Sequence, residues 1–270
     1  MKHWPKRVVL VGAGKMGGAL ARGWLRGGLD ANSLTIVEPN PSAEIEELAA
    51  HRGVALNRPA AAPDVVVLAV KPQTLAAAAP QAAPLVSAGA LVLSIIAGKR
   101  IADIRSRIPS ARAIVRAMPN TPAAVGHGVT AAFASAETTA EQKRWSETLL
   151  SAVGAFRWLR DEGEIDAVTA ISGSGPAYVF ALTEALAAAG AKLGLPAELA
   201  MDLARGTVEG AAELMRREPS TPPAILRRNV TSPGGTTAAA LAVLQADDGL
   251  DALMARATAA ARARAEELAG

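Results

Sequence analysis

The first half of the chain alternates short apolar runs, rich in valine, isoleucine and leucine, with longer stretches in which apolar and polar residues mix. Short continuous apolar runs are typical of strands buried on both faces, as in a parallel sheet covered by helices. Such strands are predicted at residues 8–11, 34–37, 65–70, 91–96 and 113–116. This alternation predicts an α/β fold.

Helices are predicted between these strands. Residues 16–26 and 41–50 each have helical character, and we expect Gly27-Gly28 to end the first helix and Gly53 the second, as glycine commonly does. Residues 72–86 also read as helical. Pro80 and Pro84 are expected to break that helix, because proline lacks a backbone donor and clashes with the preceding turn.

The pattern changes near residue 161. A strand at 128–134, a helix at 139–153 and a strand at 156–159 are followed only by long helical stretches rich in alanine and leucine. We therefore predict two domains, residues 1–161 and an all-α domain at residues 162–270. Its helices are apolar around much of their circumference, which favours packing between subunits and predicts at least a homodimer.

Composition removes several classes of function. The 270 residues include no cysteine and only three scattered histidines, so no metal site or cysteine nucleophile is expected. A net charge of +3 and an aromatic content of 3% argue against nucleic acid as a partner. The N-terminal residues resemble neither a signal peptide nor a membrane span, so a cytoplasmic protein with no membrane partner is expected.

A glycine-rich segment, Gly12-Ala13-Gly14-Lys15-Met16-Gly17, follows the first predicted strand and opens the first predicted helix. Glycines in this setting permit a tight turn and let the backbone approach a pyrophosphate, which binds at the helix N-terminus. The same glycines would also serve plain packing of a strand against a helix. Their place after the first strand favours dinucleotide binding, and hence a Rossmann-type doubly wound parallel sheet.

An acidic residue, Glu38, ends the second predicted strand about twenty residues after the glycines. A carboxylate there accepts hydrogen bonds from the adenosine ribose hydroxyls and repels a 2'-phosphate. No arginine follows immediately to bind such a phosphate. The sequence therefore favours NADH over NADPH, while a solvent-facing acid at a strand end remains the alternative.

Two further strands end at the same edge of the predicted sheet, where cofactors bind in doubly wound folds. Lys71, in Ala69-Val70-Lys71-Pro72, is expected to approach the cofactor phosphates or ribose, although an ordinary exposed lysine would give the same pattern. The backbone of residues 94–98 is expected to meet the nicotinamide end.

Two loops rich in glycine and hydroxyl residues precede helices in the second half. The first, at residues 172–178, is also explained as a simple helix start, with Pro176 suited to the first turn. The second is Ser232-Pro233-Gly234-Gly235-Thr236-Thr237. Its free backbone N–H groups at a helix N-terminus predict a binding site for a substrate carboxylate.

Several segments in order along the chain resemble the pyrroline-5-carboxylate reductases, from Val8 to about Leu268. They are Ala69-Val70-Lys71-Pro72 and residues 116–122, 166–178 and 232–237. The resemblance implies NADH- or NADPH-dependent reduction of 1-pyrroline-5-carboxylate to L-proline. It also implies an all-helical domain that interlocks with a partner's in a homodimer, often built into a decamer. Members of this family often use NADPH, in conflict with the interpretation of Glu38.

Together with the glycine and Glu38 arguments, the resemblance implies two sets of site residues. The dinucleotide would contact Gly12, Ala13, Gly14, Lys15, Met16, Gly17, Glu38, Asn57, Ala69, Val70, Lys71, Pro72, Ala97 and Asn229. The substrate would contact Ser232, Gly234, Gly235, Thr236, Thr237 and Glu162, with Thr237 as the catalytic residue.

Thr237 is expected to hydrogen-bond the imine nitrogen, which is basic enough that no strong protein acid is needed; His127 is the rival acid. A hydroxyacid dehydrogenase would instead need a lysine on the helix after Gly173–Gly175, where Ala177-Tyr178-Val179 supplies none. A non-catalytic dinucleotide-binding regulator is the third alternative, but it leaves the loop at 232–237 without purpose.

Overall fold

A computed structural model describes residues 3–58 and 62–269. Eight strands lie in the N-terminal part of the chain. They are β1 (Val8–Val11), β2 (Leu34–Val37), β3 (Ala55–Leu56), β4 (Val65–Leu68), β5 (Leu91–Ser94), β6 (Ala113–Met118), β7 (Gly128–Ala134) and β8 (Gly154–Trp158). The five apolar runs and both later strand predictions correspond to strands, and the two-residue β3 was not predicted.

The strands form a single sheet in the order β3-β2-β1-β4-β5-β6-β7-β8. All neighbours are parallel except β6 and β7, which are antiparallel. The chain builds outward from β1 to β3 and then returns to place β4 on the other side of β1. This reversal creates a crevice at the carboxyl ends of β1 and β4, the usual ligand site in such sheets. The predicted Rossmann-type α/β fold is confirmed.

Helices cover both faces of the sheet. They are α1 (Lys15–Gly27), α2 (Ala43–Arg52), α3 (Leu75–Ala82), α4 (Ile101–Arg107) and α5 (Ala140–Ser151). Alternate residues of β1 enter different cores, with Leu10 packed in the cluster that contains Trp24 and Val11 in the cluster that contains Leu75. Because both faces are buried, the central strands need continuous apolar sequence, which explains the pattern read from the chain.

Pro80 does not break its helix, contrary to the prediction. It lies inside α3, which ends at Ala82 and continues as the 3₁₀ turn Ala83–Leu85 around Pro84. Pro80 cannot donate to the carbonyl oxygen of Ala76. Both residues are exposed, so water can satisfy that carbonyl. The expected break therefore occurs only near Pro84.

The chain divides into two compact units, Met1–Ser174 together with Ala261–Gly270, and Gly175–Ala260. The helices after β8 are α6 (Glu164–Val168), α7 (Gly175–Lys192), α8 (Ala197–Arg217), α9 (Pro223–Asn229), α10 (Thr236–Leu244) and α11 (Leu250–Ala269). A π-helical turn, Thr169–Gly173, separates α6 from α7. Among the described residues after β8 there is no strand, and the domain limits of 1–161 and 162–270 stay a prediction.

Large apolar side chains on α7 and α8 are exposed in the single chain, among them Phe180 at 64% and Leu214 at 54%. The helical stretch Glu164–Lys192 is long and apolar enough to cross a membrane by length and composition alone. A helix whose apolar face is covered by another subunit passes the same test. These exposed faces are what a helical subunit interface requires.

Candidate functional site

Gly12 begins the glycine loop after β1 in the left-handed backbone region, with a φ of 91°. A Cβ at this position would lie 2.8 Å from the carbonyl oxygen of Ala69, which follows β4. The N–H of Gly12 donates to the carbonyl oxygen of Val37 at 2.9 Å. The loop therefore runs against the ends of two neighbouring strands, and only glycine fits there.

Gly14 and Gly17 serve the loop differently. A Cβ on Gly17 would overlap the carbonyl group of Gly12, so Gly17 lets α1 approach the loop. A Cβ on Gly14 would meet no described atom within 4 Å, so packing does not require glycine there. Gly14 is the N-cap of α1, and no side chain caps this N-terminus. The first N–H groups of α1 are thus open to an anion such as a pyrophosphate.

The carboxylate of Glu38 lies beside this loop. Its Oε2 accepts a hydrogen bond from the backbone N–H of Ala13 at 2.8 Å, and its Oε1 accepts one from the N–H of Asn40 at 3.1 Å. The carboxylate is therefore fixed between the end of β2 and the glycine loop. A ribose next to a pyrophosphate on α1 would meet it there.

Asn57, in the left-handed region with a φ of 54°, holds the backbone of Glu38. Its Oδ1 accepts from the N–H of Glu38 at 2.9 Å, and its Nδ2 donates to the carbonyl oxygen of Glu38 at 3.0 Å. Both ends of the amide are thus engaged. The sequence interpretation had Asn57 lining the dinucleotide, and the structure adds that Asn57 positions Glu38.

A cavity of about 430 Å³ opens at the carboxyl ends of β1, β2 and β4. Its lining consists of Val11, Gly12, Gly14, Val37, Glu38, Pro39, Asn40, Ala69, Val70, Lys71, Thr74, Ala77, Ala78 and Gln81. The glycine loop, Glu38 and the segment at 69–71 thus come together. The wall formed by Thr74 and Gln81 was missed, although spacings of three to four residues from 74 to 81 place these positions on one helix face.

The turn after β5 lies at the same edge of the sheet. Ala97 is exposed in this turn, and Gly98 has a φ of 66°. A Cβ on Gly98 would lie 2.9 Å from the carbonyl oxygen of Leu268, near the end of α11. The C-terminal helix therefore closes against the turn that was expected to meet the nicotinamide, a contact that the sequence did not predict.

Glu162 precedes α6 and is tied to the helix that follows this turn. Its Oε1 accepts a hydrogen bond from the N–H of Ile101, the first residue of α4, at 2.8 Å. The same oxygen lies 3.3 Å from Nη1 of Arg116, a buried residue of β6. Arg116 is the first residue of the segment 116–122 that carries the resemblance, but the sequence predicts no role for it, because its partner Glu162 lies more than forty residues away.

In the second unit, the segment from Ser232 to Gly235 forms a tight turn before α10. Gly234 has a φ of 70°, and the N–H of Gly235 donates to the carbonyl oxygen of Ser232 at 3.1 Å. No side chain caps α10, so its first N–H groups are available to an anion. Thr236 and Thr237 are its first two residues. Among the described residues Thr237 makes no capping hydrogen bond, so a purely structural role as a helix cap has no support.

Asn229 is the exposed last residue of α9, and His127 is exposed in the turn before β7. Within residues 3–58 and 62–269, no group of histidine, aspartate and glutamate side chains comes together as metal ligands would.

Hydrogen bonds from Arg216 and Arg217 lower the pKa of Glu213 to about 2. That ion-pair cluster is exposed on α8 and belongs to neither the cavity nor the turn before α10.

Comparison with family models assigns both parts of the chain. Residues 162–268 match the model described as pyrroline-5-carboxylate reductase dimerisation. Residues 7–98 match the model described as NADP oxidoreductase coenzyme F420-dependent.

Relatives extend the match over nearly the whole chain. The pyrroline-5-carboxylate reductase of Pseudomonas aeruginosa is 43% identical over 266 residues, which is 97% of each chain. The structure of the reductase from Coxiella burnetii has a TM-score of 0.90 at 35% identity and covers 98% of this chain and 99% of its own. The NADP-bound enzyme of Plasmodium falciparum has a TM-score of 0.79 at 27% identity, with full coverage of both chains.

Proposed function

Since this chain belongs to the pyrroline-5-carboxylate reductase family, we propose that it reduces 1-pyrroline-5-carboxylate to L-proline with a hydride from NADH or NADPH. This reaction completes proline biosynthesis. The observation that carries the proposal is the cavity in which the uncapped N-terminus of α1, the glycine loop and the Glu38 carboxylate lie together. These groups match the pyrophosphate and the ribose of a dinucleotide.

The cofactor preferred by this chain is NADH. Ala13 and Asn40 hold the Glu38 carboxylate with backbone N–H groups, and Asn57 fixes the backbone behind it. A carboxylate fixed in this way accepts hydrogen bonds from the ribose hydroxyls but repels a 2'-phosphate. Lys71, which lines the same cavity, supplies a positive charge for the pyrophosphate.

The substrate carboxylate binds at the N-terminus of α10. The backbone of Gly234 and Gly235 shapes the turn, and the uncapped N–H groups of α10 with the Ser232 and Thr236 hydroxyls bind the anion. The helix dipole favours negative charge at this end. The loop thereby distinguishes a cyclic imino acid from an uncharged imine.

The chain's own groups position the reactants and stabilise charge. The bound reduced nicotinamide supplies the hydride. The Thr237 hydroxyl hydrogen-bonds the imine nitrogen, and the carboxylate anchor on the same turn fixes the ring in register with that contact. Because the imine nitrogen can arrive already protonated, the protein need not supply a strong acid. Glu162 and Asn229 contribute to the nicotinamide and substrate end.

The protein works as a homodimer formed through residues 162–268, assembled into a decamer, in the cytoplasm. The match of this segment to a dimerisation model supports the dimer. The exposed apolar side chains of α7 and α8, which a second subunit would cover, support it independently.

A steady-state assay tests the function. The purified protein is mixed with NADH or NADPH and with 1-pyrroline-5-carboxylate, and cofactor oxidation is followed. Turnover is expected with this substrate and not with small hydroxyacids plus NAD. Oxidation of hydroxyacids would favour the hydroxyacid dehydrogenase alternative, and cofactor binding without turnover of either substrate would favour the regulator.

A further inference from the structure

Arg116 is a charged residue in the middle of a buried strand. It lies in β6 among apolar neighbours, and its side chain is only 2% exposed. It pairs across the sheet with Ser94, the last residue of β5. A guanidinium is rarely buried to this extent unless partners compensate its charge.

Two carboxylates lie beside this guanidinium, and one of them also pairs with a second arginine. Nη1 of Arg116 lies 3.3 Å from Glu162, and Nη2 lies 3.6 Å from Oδ1 of Asp166, whose side chain is 5% exposed. The other oxygen of Asp166 lies 3.7 Å from Arg100, the residue before α4. The four side chains, Arg100, Arg116, Glu162 and Asp166, are called the charge cluster below.

Stability does not explain the charge cluster. Among the described residues no hydrogen bond reaches Nε or Nη2 of Arg116, and both atoms are buried. A buried ion pair with incomplete hydrogen bonding is commonly no more stable than apolar side chains of the same size. A role in the site therefore accounts better for a buried arginine in β6.

The charge cluster reaches the edge of the sheet where the proposed nicotinamide end lies. Glu162 uses one oxygen, Oε1, for both Arg116 and the N–H of Ile101. None of the described residues hydrogen-bonds its other oxygen, and the side chain is 24% exposed. Ile101 begins α4 directly after the turn that contains Ala97. The cluster thus fixes both the orientation of Glu162 and the start of α4.

We propose that Arg116 is a positioning residue for hydride transfer: it holds Glu162, and through it the turn after β5, in the geometry that the nicotinamide and the imine require. This inference rests on the proposed function, because Glu162 and Ala97 are assigned there to the ligands. Asp166 lies near the other terminal nitrogen of Arg116, Nη2, and so helps to hold the guanidinium in this orientation.

The test compares Arg116→Lys with the wild type and with Arg105→Lys. The lysine keeps the charge but loses the planar fork that reaches both carboxylates at once. Arg105, on α4, forms an exposed pair with Glu137 and is the matched control. Melting temperature, NADH affinity, kcat and the isotope effect with NADH deuterated at the transferred position are measured for each protein.

Arg116→Lys is expected to lower kcat by roughly tenfold or more, since small misplacements of reacting groups cost up to about a hundredfold. The isotope effect on kcat should rise because hydride transfer becomes rate-limiting, while NADH affinity stays within about twofold. In a Glu162→Gln background the same substitution should cost little more, because Arg116 acts through Glu162. Arg105→Lys should match the wild type.

A lower melting temperature with unchanged kcat and isotope effect would show that Arg116 has only a structural role. If the losses of kcat in the Arg116→Lys, Glu162→Gln double variant were additive, Arg116 would not act through Glu162. If Arg116→Lys does not fold, Asp166→Asn tests the positioning role by the same measurements. We expect a smaller loss of kcat and a raised isotope effect. A wild-type protein that does not oxidise NADH with pyrroline-5-carboxylate would overturn the proposed function and the positioning role together. Normal wild-type turnover with unaffected variants would overturn the positioning role alone.

Discussion

Replacing Glu38 by glutamine should weaken the discrimination between NADH and NADPH. The substitution keeps the size of the side chain and leaves one amide oxygen to accept the N–H of Ala13, now 2.8 Å from Oε2. It removes the negative charge. Glu38→Gln loses the hydrogen bond that the N–H of Asn40 donates to Oε1, but it isolates the charge better than Glu38→Ser, which also shortens the side chain.

The expected size follows from the charges. Two unit charges about 4 Å apart interact by about 4 kcal/mol at an effective dielectric constant of about 20. Glu38 is only half-buried, so screening by solvent leaves on the order of 2 kcal/mol against a 2'-phosphate. That is roughly a thirtyfold effect on kcat/KM for NADPH. Backbone N–H groups donate to both oxygens of the carboxylate. Turning away from the 2'-phosphate would therefore break these hydrogen bonds.

The assay measures kcat/KM for both cofactors with saturating 1-pyrroline-5-carboxylate. The wild type should prefer NADH, and Glu38→Gln should gain roughly tenfold or more with NADPH while losing less than about tenfold with NADH. Glu38→Ser should shift the ratio in the same direction. High salt should reduce the wild-type preference, because it screens the repulsion.

A wild-type preference for NADPH of about tenfold or more would refute the assignment of Glu38 to the ribose. An unchanged cofactor ratio in Glu38→Gln would refute the electrostatic reasoning even if NADH were preferred.

Three further predictions concern the remaining parts of the site. Thr237→Ala should lower kcat/KM roughly five- to hundredfold, which corresponds to about 1 to 3 kcal/mol of lost transition-state stabilisation. Cofactor affinity should be nearly unchanged, and Thr237→Ser should retain activity. Normal kinetics with a lowered melting temperature would remove Thr237 from the active site. Gly14→Ala should keep the melting temperature but weaken NADH binding, whereas Gly12→Ala should lower the melting temperature as well, since its Cβ would lie 2.8 Å from a backbone oxygen. Equal melting temperatures for the two variants would contradict the loop geometry. Light scattering at micromolar protein should give at least a dimer, and a monomer would contradict the interface at residues 162–268.

The sheet was predictable because its central strands are buried on both faces and therefore read as continuous apolar runs, such as Val8–Val11. The direction of a strand leaves no trace in such a run, so the antiparallel placement of β7 appears only in the structure. Likewise, whether water can satisfy the carbonyl that Pro80 leaves without a donor depends on exposure, and exposure is a tertiary property.

The loop and the acid of the cofactor site were predictable because close backbone approach and ribose recognition each demand a particular residue type, as at Gly12 and Glu38. Residues that act on other residues were missed. Arg116 joins partners far along the chain, and only its charge inside the apolar run Ala113–Met118 could have drawn attention to it. Gln81 lines the cavity from one face of α3, and helical spacing gives that face, but nothing in the alanine-rich sequence shows that it is the face turned toward the cavity.

This chain is proposed to make L-proline by reducing a cyclic imine, and product analysis tests that activity most directly. The wild-type protein is incubated with NADH and 1-pyrroline-5-carboxylate, and the amino acid formed is identified and quantified on a chiral column against the NADH consumed. We expect L-proline in equal amount to the NADH oxidised. NADH oxidation without L-proline, or no oxidation at all with well-folded protein, would contradict the account.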